Sequence, residues 1–236
     1  MNKQSNTYTI IYIIVLVVVV GAALALTSMS LKERQTANAN ADKMRQILAS
    51  VKITPAEGQV IDDYNKYIVE SFLVNADGQR IDGDAFNVNM KEAVKQPADK
   101  RQLPVFECKL ADGAVKYIIP AYGAGLWGPI WGYLSVDSDG STVYGAYFSH
   151  EGETPGLGAN IAEPAFYGQF NSSLHLLKDG RMVPIEVVKK GMKPTNENAD
   201  YVDGVSGGTI TSKGVGAMLD NCLTPYEAFL KNLSNR

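Results

Sequence analysis

Two glycine-containing segments carry residue types that could hold a ligand. The first, residues 149–160 (SHEGETPGLGAN), follows a strand pattern directly and combines carboxylates, two hydroxyls and three glycines around a proline. Because glycine has no Cβ, such a loop can bring backbone N–H groups close to a ligand, although a tight strand-to-helix connection has the same composition. His150, Glu151 and Glu153 are metal-ligand types, but no further ligands converge on them in the sequence.

The second segment, residues 203–215 (DGVSGGTITSKGV), places two adjacent glycines among four hydroxyl residues. A helix pattern follows at once, so Thr211 or Ser212 is the expected N-cap. A helix N-terminus next to Lys213 can hold a phosphate, and a simple helix cap is the alternative. The spacing matches neither GxxxxGK[ST] nor GxGxxG, which gives no support to nucleotide hydrolysis or a Rossmann site.

Short strands and helices must position these two segments. Asp112 with Gly113, and Asp139 with Gly140, separate successive strand patterns in the way that antiparallel hairpins do. The expected fold is therefore α+β, an antiparallel sheet with helices at both ends. The expected strands are 105–110, 115–120, 130–136, 141–148 and 183–190, and the expected helices are 31–51, 60–74, one within 162–177, 215–222 and 225–233.

An apolar run lies near the amino terminus. Residues 10–26 contain no charged side chain, and the uncharged stretch 8–29 reaches about 20 residues, enough to cross a hydrocarbon core as one helix. A cleaved signal peptide is the competing interpretation, but the run is long and a helical pattern continues beyond it. Lys3 and the amino terminus precede the run, and Lys32, Arg34, Lys43 and Arg45 follow it, so charge counting leaves the orientation open.

Composition excludes several classes of protein. The chain has 236 residues, is 45% hydrophobic and carries a formal net charge of −3, which argues against a dedicated nucleic-acid binder. The mean hydropathy of −0.09 averages one apolar segment with a more polar remainder of roughly 200 residues, about one sizeable domain. Cys108 and Cys222 match no metal-ligand spacing; two buried thiols are expected, with at most one disulfide as the alternative.

The run Ser206–Thr211 (SGGTIT), preceded by Asp203, resembles the flavinylation motif D-x-x-S-G-A-T-x-[ST] of FMN-binding domains. Gly208 stands where alanine is commoner, and it preserves the small size. In that family the last hydroxyl residue carries FMN through a phosphoester, which implies attachment at Thr211. The resemblance also implies a Mg²⁺-dependent flavin transferase that uses FAD as donor.

Three further stretches resemble the C subunit of the Na⁺-translocating NADH:quinone oxidoreductases: residues 125–134 (GLWGPIWGYL), 150–159 (HEGETPGLGA) and 31–38 (LKERQTAN). One alternative is the G subunit of Rnf-type ferredoxin:NAD⁺ reductases, which shares the ETPGLG and SGxTxT segments but usually lacks the tryptophan-rich stretch. The other alternative is a cofactor-free anchored domain that serves in binding or assembly. The resemblance implies that the flavin contacts are Trp127, Glu153, Thr154, Gly156, Leu157, Gly158, Ser206, Gly207, Gly208, Thr209 and Lys213, with no separate catalytic or metal-binding residue. For Trp127 and Trp131, a place in the core is the favoured alternative, because aromatic residues beside glycines are more often buried. Lys213 is equally compatible with a solvated helix face.

The resemblance also implies a role and a location. The chain would be a single-pass subunit of the bacterial inner membrane, with its soluble domain on the periplasmic side. Its FMN would relay electrons within an NADH:quinone reductase that passes them to ubiquinone or menaquinone while pumping Na⁺. The expected organisation is an anchor region in residues 1–30, a helical and polar lead-in in 31–100, and the FMN-binding core in 101–236.

Overall fold

The computed structural model describes residues 6–235, and it begins with one long helix. Helix α1 (Asn6–Ser50) is the one described helix that is long and apolar enough to cross a membrane. The chain divides into two compact units, one up to Lys43 and one from Met44 onward, so the last turns of α1 belong to the second unit.

An antiparallel sheet of six strands forms the centre of the second unit. The strands are β1 (Ile68–Val74), β2 (Arg80–Ile81), β3 (Leu103–Lys109), β4 (Val115–Ala124), β5 (Pro129–Asp137) and β6 (Val143–His150). Their spatial order is β2-β1-β3-β4-β5-β6, and each pair of neighbours is antiparallel. Gly113 and Gly140 adopt positive φ angles in the turns that join β3 to β4 and β5 to β6, which confirms the two predicted hairpins.

Helices and short strand pairs complete the unit. The helices are α2 (Val60–Tyr67), α3 (Met90–Ala93), α4 (Pro164–Tyr167), α5 (Thr209–Leu223) and α6 (Glu227–Ser234), with 3₁₀ turns at Ala98–Lys100, Gly158–Ala162 and Thr224–Tyr226. Strand β7 (Leu177–Lys178) pairs with β8 (Arg181–Met182), and β9 (Glu186–Val188) pairs in parallel with β10 (Tyr201–Asp203). The fold is thus α+β, as the sequence predicts.

The central sheet is covered on both faces. Successive side chains of a strand point to opposite faces, and neighbouring Ile118 and Ile119 on β4 accordingly belong to two different buried clusters. The cluster of Ile119 contains Val215 and Leu219 of α5, whereas the cluster of Ile118 contains Ile47 from the end of α1. Helix α5 therefore packs on one face, and the end of α1 packs on the other.

Two predicted elements differ in the structure. The sequence predicts one helix over residues 60–74, but the helix ends at Tyr67 and the chain continues as strand β1, which pairs with β3. Of the predicted strand 183–190, only Glu186–Val188 is extended, and it lies outside the central sheet. Pro184 cannot donate a ladder hydrogen bond, which limits that strand at its start.

The cysteine expectation is confirmed. Cys108 and Cys222 are both buried and free. Burial raises the pKa of the Cys108 thiol to about 11, and it raises the pKa of Cys222 as well. Both groups are therefore neutral, unreactive thiols at neutral pH.

Candidate functional site

The two glycine-containing segments meet at one cavity of about 350 Å³. One side is the loop that follows β6, and the other is the turn between β10 and the first residues of α5. The segment between β4 and β5 contributes the third side. The residues that line the cavity are Leu126, Trp127, Glu153, Thr154, Leu157, Gly158, Gly207, Gly208, Thr209, Ile210 and Thr211.

A hydrogen bond between Thr211 and Glu153 joins two of these sides. The Thr211 hydroxyl donates to Oε2 of Glu153 at 2.5 Å, and the two residues are 58 positions apart in the chain. Thr211 is 1% exposed and Glu153 is 4% exposed. A hydrogen bond from a hydroxyl to an ionised carboxylate is stronger than one between neutral groups.

Backbone groups hold the Glu153 carboxylate in the ionised form. Its Oε1 accepts a hydrogen bond from the backbone N–H of Trp127 at 2.8 Å. Burial alone would raise the pKa of this carboxyl group. The hydrogen bonds from the Thr211 hydroxyl and from the backbone N–H groups of Trp127, Leu126 and Gly128 outweigh burial, so the pKa lies below its ordinary value.

His150 fixes the start of the same loop. The backbone N–H of Glu153 donates to Nδ1 of His150 at 3.2 Å, so the imidazole accepts through this nitrogen. This bond ties the carboxylate-bearing residue to the last residue of β6. Among the described residues, no three His, Cys, Asp or Glu side chains are grouped closely enough to hold a metal ion.

Glycines let the sides of the cavity approach each other. A Cβ on Gly158 would lie 2.4 Å from the Thr211 hydroxyl oxygen and 2.4 Å from Oε2 of Glu153. Gly207 has a φ of +74°, and a Cβ there would lie 2.5 Å from Cδ2 of Leu157. Glycine at these positions is therefore a steric requirement of the contact between the two loops.

Helix α5 begins at the cavity. Its N-cap is Gly208, and its first residue is Thr209, so the predicted N-cap at Thr211 or Ser212 is wrong by three or four residues. Ser212 stabilises the turn differently, because its Oγ accepts the backbone N–H of Val205 at 2.9 Å. Thr211 lies in the first helical turn, where backbone N–H groups precede the intrahelical ladder and favour an anion.

Comparison with known proteins places the site in a family. Residues 125–224 match the model of the FMN-binding domain, and this range includes every residue of the cavity lining. The C subunit of the Na(+)-translocating NADH-quinone reductase of Vibrio anguillarum is 33% identical over 190 residues, covering 74% of this chain and 73% of that protein. This chain belongs to the NqrC family, the C subunits of Na(+)-translocating NADH-quinone reductases.

Solved structures of the same family have the same fold. The crystal structure of NqrC from Parabacteroides distasonis is 46% identical, with a TM-score of 0.78 over 85% of this chain and 96% of that chain. The crystal structure of Shewanella oneidensis NqrC is 27% identical, with a TM-score of 0.68 over 85% of this chain and 100% of that one. The resemblance in the sequence motifs is thus confirmed, and the chain is a member of the NqrC family with an FMN-binding domain.

Most of the flavin contacts expected for an NqrC protein lie in one place. Nine of the residues predicted from the sequence line the cavity: Trp127, Glu153, Thr154, Leu157, Gly158, Gly207, Gly208, Thr209 and Thr211. Gly156 and Ser206 belong to the same two loops but not to the lining. Lys213 lines a different cavity of about 380 Å³, next to Glu186 and Asp220, so the structure does not bring it to the others.

Four apolar side chains surround the cavity, and the sequence motifs predict only two of them as flavin contacts. Trp127 is 69% exposed, Ile210 58%, Leu126 47% and Leu157 43%. A place in the core is therefore wrong for Trp127, whereas Trp131 is half-buried and donates from Nε1 to Gln46. The sequence could have indicated Leu126 and Ile210 as cavity residues, because they lie next to Trp127 and Thr211 inside the recognised motifs.

Proposed function

We propose that this NqrC protein carries FMN covalently on Thr211 and relays electrons between redox centres of its oxidoreductase complex. The observation that supports this most directly is the Thr211 hydroxyl in the wall of the cavity, at the start of a helix and between two glycine-containing loops. A hydroxyl is the nucleophile that a phosphoester requires.

The described residues fit a flavin mononucleotide. The first turn of α5 offers backbone N–H groups and the positive end of a helix dipole to a phosphate. The exposed apolar side chains around the cavity offer contact area to an aromatic ring system, and Trp127 is the largest of them. The cavity volume of about 350 Å³ lies within the range of small-molecule sites.

The chain's own residues would bind, orient and shield the cofactor. When bound, the flavin supplies the one- and two-electron chemistry, and the protein tunes it through hydrogen bonds and local polarity. Thr211 would fix the phosphate end, and the loops that contain Leu157 and Gly207 would limit access of water to the cavity. No side chain of this protein needs to act as an acid or a base in the electron relay.

The location of the protein follows from its first unit. We infer that residues 8–29, within helix α1, anchor the protein in the bacterial inner membrane, with the soluble part on the periplasmic side. As part of this proposal, residues 1–30 form the anchor region, residues 31–100 a lead-in that includes strands β1 and β2 of the central sheet, and residues 101–236 the FMN-binding core. The partners are the other subunits of the oxidoreductase, together with a Mg²⁺-dependent flavin transferase that uses FAD during maturation.

Covalent flavin survives denaturation, which gives a direct test. The full chain is coexpressed with the transferase, separated on a denaturing gel and examined for flavin fluorescence and for the mass of the adduct. We expect a fluorescent wild-type band, no fluorescence for Thr211→Ala, and retained fluorescence for Thr211→Ser, which keeps a hydroxyl. Thr195→Ala is the matched control and should keep its fluorescence, because Thr195 is an exposed threonine that does not line the cavity.

Two results would contradict the proposal. One is a wild-type chain without a flavin adduct in the presence of an active transferase, which would favour a cofactor-free binding domain. The other is a Thr211→Ala variant that keeps its adduct, which would move the attachment to another residue.

A further inference from the structure

The pairing of Glu153 with Thr211 has a consequence for how the flavin is attached. We propose that Glu153 is the general base that takes the proton of the Thr211 hydroxyl when this hydroxyl forms its phosphoester. The acceptor chain would thus supply one catalytic group for its own modification. This inference rests on the proposed function, in which Thr211 is the attachment residue.

The geometry is that of a nucleophile paired with its base. The Thr211 hydroxyl already donates to Oε2 of Glu153 at 2.5 Å, within the reach that proton transfer needs. Because the hydrogen of this hydroxyl is engaged by the carboxylate, the lone pairs of the oxygen remain available to form a bond to phosphorus. The same cavity reaches both residues.

The carboxylate is held for this task by groups that do not move with Thr211. Its second oxygen, Oε1, accepts the backbone N–H of Trp127, so the two oxygens have separate partners. Glu153 and Thr211 are both nearly fully buried, and water therefore competes little for either group. A base that is ionised at neutral pH can accept a proton, and the backbone hydrogen bonds that lower the pKa of Glu153 keep it ionised.

The proposed step transfers a flavin-linked phosphoryl group to Thr211, and no atom is oxidised or reduced. The Thr211 oxygen forms a bond to the flavin-side phosphorus of a flavin dinucleotide, and the phosphoric anhydride bond of that dinucleotide breaks. Adenosine monophosphate leaves with the electron pair of the broken bond. The hydroxyl proton passes to Oε2 of Glu153, and the resulting neutral carboxyl group avoids like-charge repulsion with the new phosphodiester.

The test measures the rate of attachment and not the activity of the loaded complex. Unmodified full-length chain, purified in detergent, is mixed with transferase, FAD and Mg²⁺, and the adduct is followed by intact mass. We expect Glu153→Gln to attach flavin at least about 100-fold more slowly than wild type, the usual minimum for loss of a general base. Glu151→Gln, the same charge change at an exposed position in the same loop, should keep the wild-type rate.

A purely structural role for Glu153 is separated by the pH dependence and by a second variant. With the carboxylate gone, hydroxide is the remaining base, so the ratio of the Glu153→Gln rate to the wild-type rate should rise with pH. Glu153→Asp keeps a carboxylate with a shorter reach and should recover part of the lost rate. An Asp variant as slow as the Gln variant at every pH would overturn the proposal, even if the Gln variant were unstable.

Other outcomes separate this inference from the proposed function. A Glu153→Gln chain that attaches flavin at the wild-type rate would show that the transferase supplies the base, and the inference would be wrong while Thr211 attachment stands. Faster flavin attachment to the Glu153→Gln chain would also overturn the inference, because Glu153 would then restrain the Thr211 hydroxyl instead of activating it. Flavin absent from wild type, or present on Thr211→Ala, would contradict the proposed function itself.

Discussion

At the scale of single residues, the site depends on a contact that only glycine permits. A Cβ on Gly158 would be 2.4 Å from both the Thr211 hydroxyl oxygen and Oε2 of Glu153, and neither side chain is exposed enough to move aside freely. We expect Gly158→Ala to destabilise the chain by about 1–3 kcal/mol, as overpacking of a buried contact does. Thermal unfolding of the full chain in detergent measures this loss, and the attachment rate should fall with it.

Gly152 is the matched control for this substitution. It lies in the same loop, its φ is not positive, and a Cβ there would have no atom within 4 Å among the described residues. Gly152→Ala should therefore leave both the unfolding midpoint and the attachment rate unchanged. Equal stability of the Gly158→Ala and Gly152→Ala variants would show that the contact with Thr211 relaxes without cost.

The sequence indicates which residues belong to this site, but it does not indicate how these residues contact one another. The family motifs include Glu153 and Thr211, but local patterns carry no information on a bond between positions 58 apart. The predicted helix start is misplaced because Thr211 and Ser212 are good capping types, whereas Gly208 takes the cap and Ser212 bonds to Val205 instead. Lys213 is near the other contacts in sequence, although it lines another cavity.

At the scale of elements, local signals predict the hairpins and fail where strand pairing decides the structure. The turns at Gly113 and Gly140 have residue types that specify a hairpin without help from the rest of the chain. Strand β1 has no such signal: its burial does not alternate, and Val60, Tyr64 and Ile68 are spaced as on a helix. It is extended because it pairs with β3, a tertiary effect that overrides the local preference.

A buried hydroxyl joins the end of helix α1 to the sheet. Ser135 on β5 donates to the carbonyl oxygen of Ser50 at 2.6 Å, and the carbonyl oxygen of Gly145 on β6 lies 3.0 Å away. Ser50 and Ser135 are fully buried. We expect Ser135→Ala to destabilise the chain by about 1–3 kcal/mol, because it leaves a buried carbonyl without this donor. The midpoint of urea unfolding, followed by circular dichroism, measures the effect.

Ser149→Ala serves as the control for the Ser135→Ala substitution. Ser149 lies on β6 of the same sheet and is half-buried, so the substitution removes the same group from a less buried position. We expect a change within about 0.5 kcal/mol, the range of ordinary surface substitutions. A Ser135→Ala variant as stable as Ser149→Ala would mean that another group replaces the lost donor at Ser50.

At the scale of the whole molecule, the two compact units explain why the mean hydropathy of the chain is ordinary. The large apolar residues of the first unit lie on helix α1 and are exposed, whereas most of those in the second unit are buried on the two faces of the sheet. The mean hydropathy near zero is an average over these two different parts. An exposed apolar helix of this length requires a nonpolar surrounding, which is the physical basis for the proposed anchor.

The proposed periplasmic location of the second unit can be tested with a maleimide, because the two native thiols are not expected to react with it. Cys108 and Cys222 are buried, and burial raises the pKa of both, so neither should react with a maleimide in the folded protein. A Glu57→Cys substitution introduces one exposed thiol in the second unit, where the native side chain is exposed. We expect a membrane-impermeant maleimide to label this variant in intact spheroplasts and to leave the unsubstituted chain unlabelled. Labelling of Glu57→Cys only after the membranes are disrupted would place the second unit on the cytoplasmic side and contradict the proposed topology.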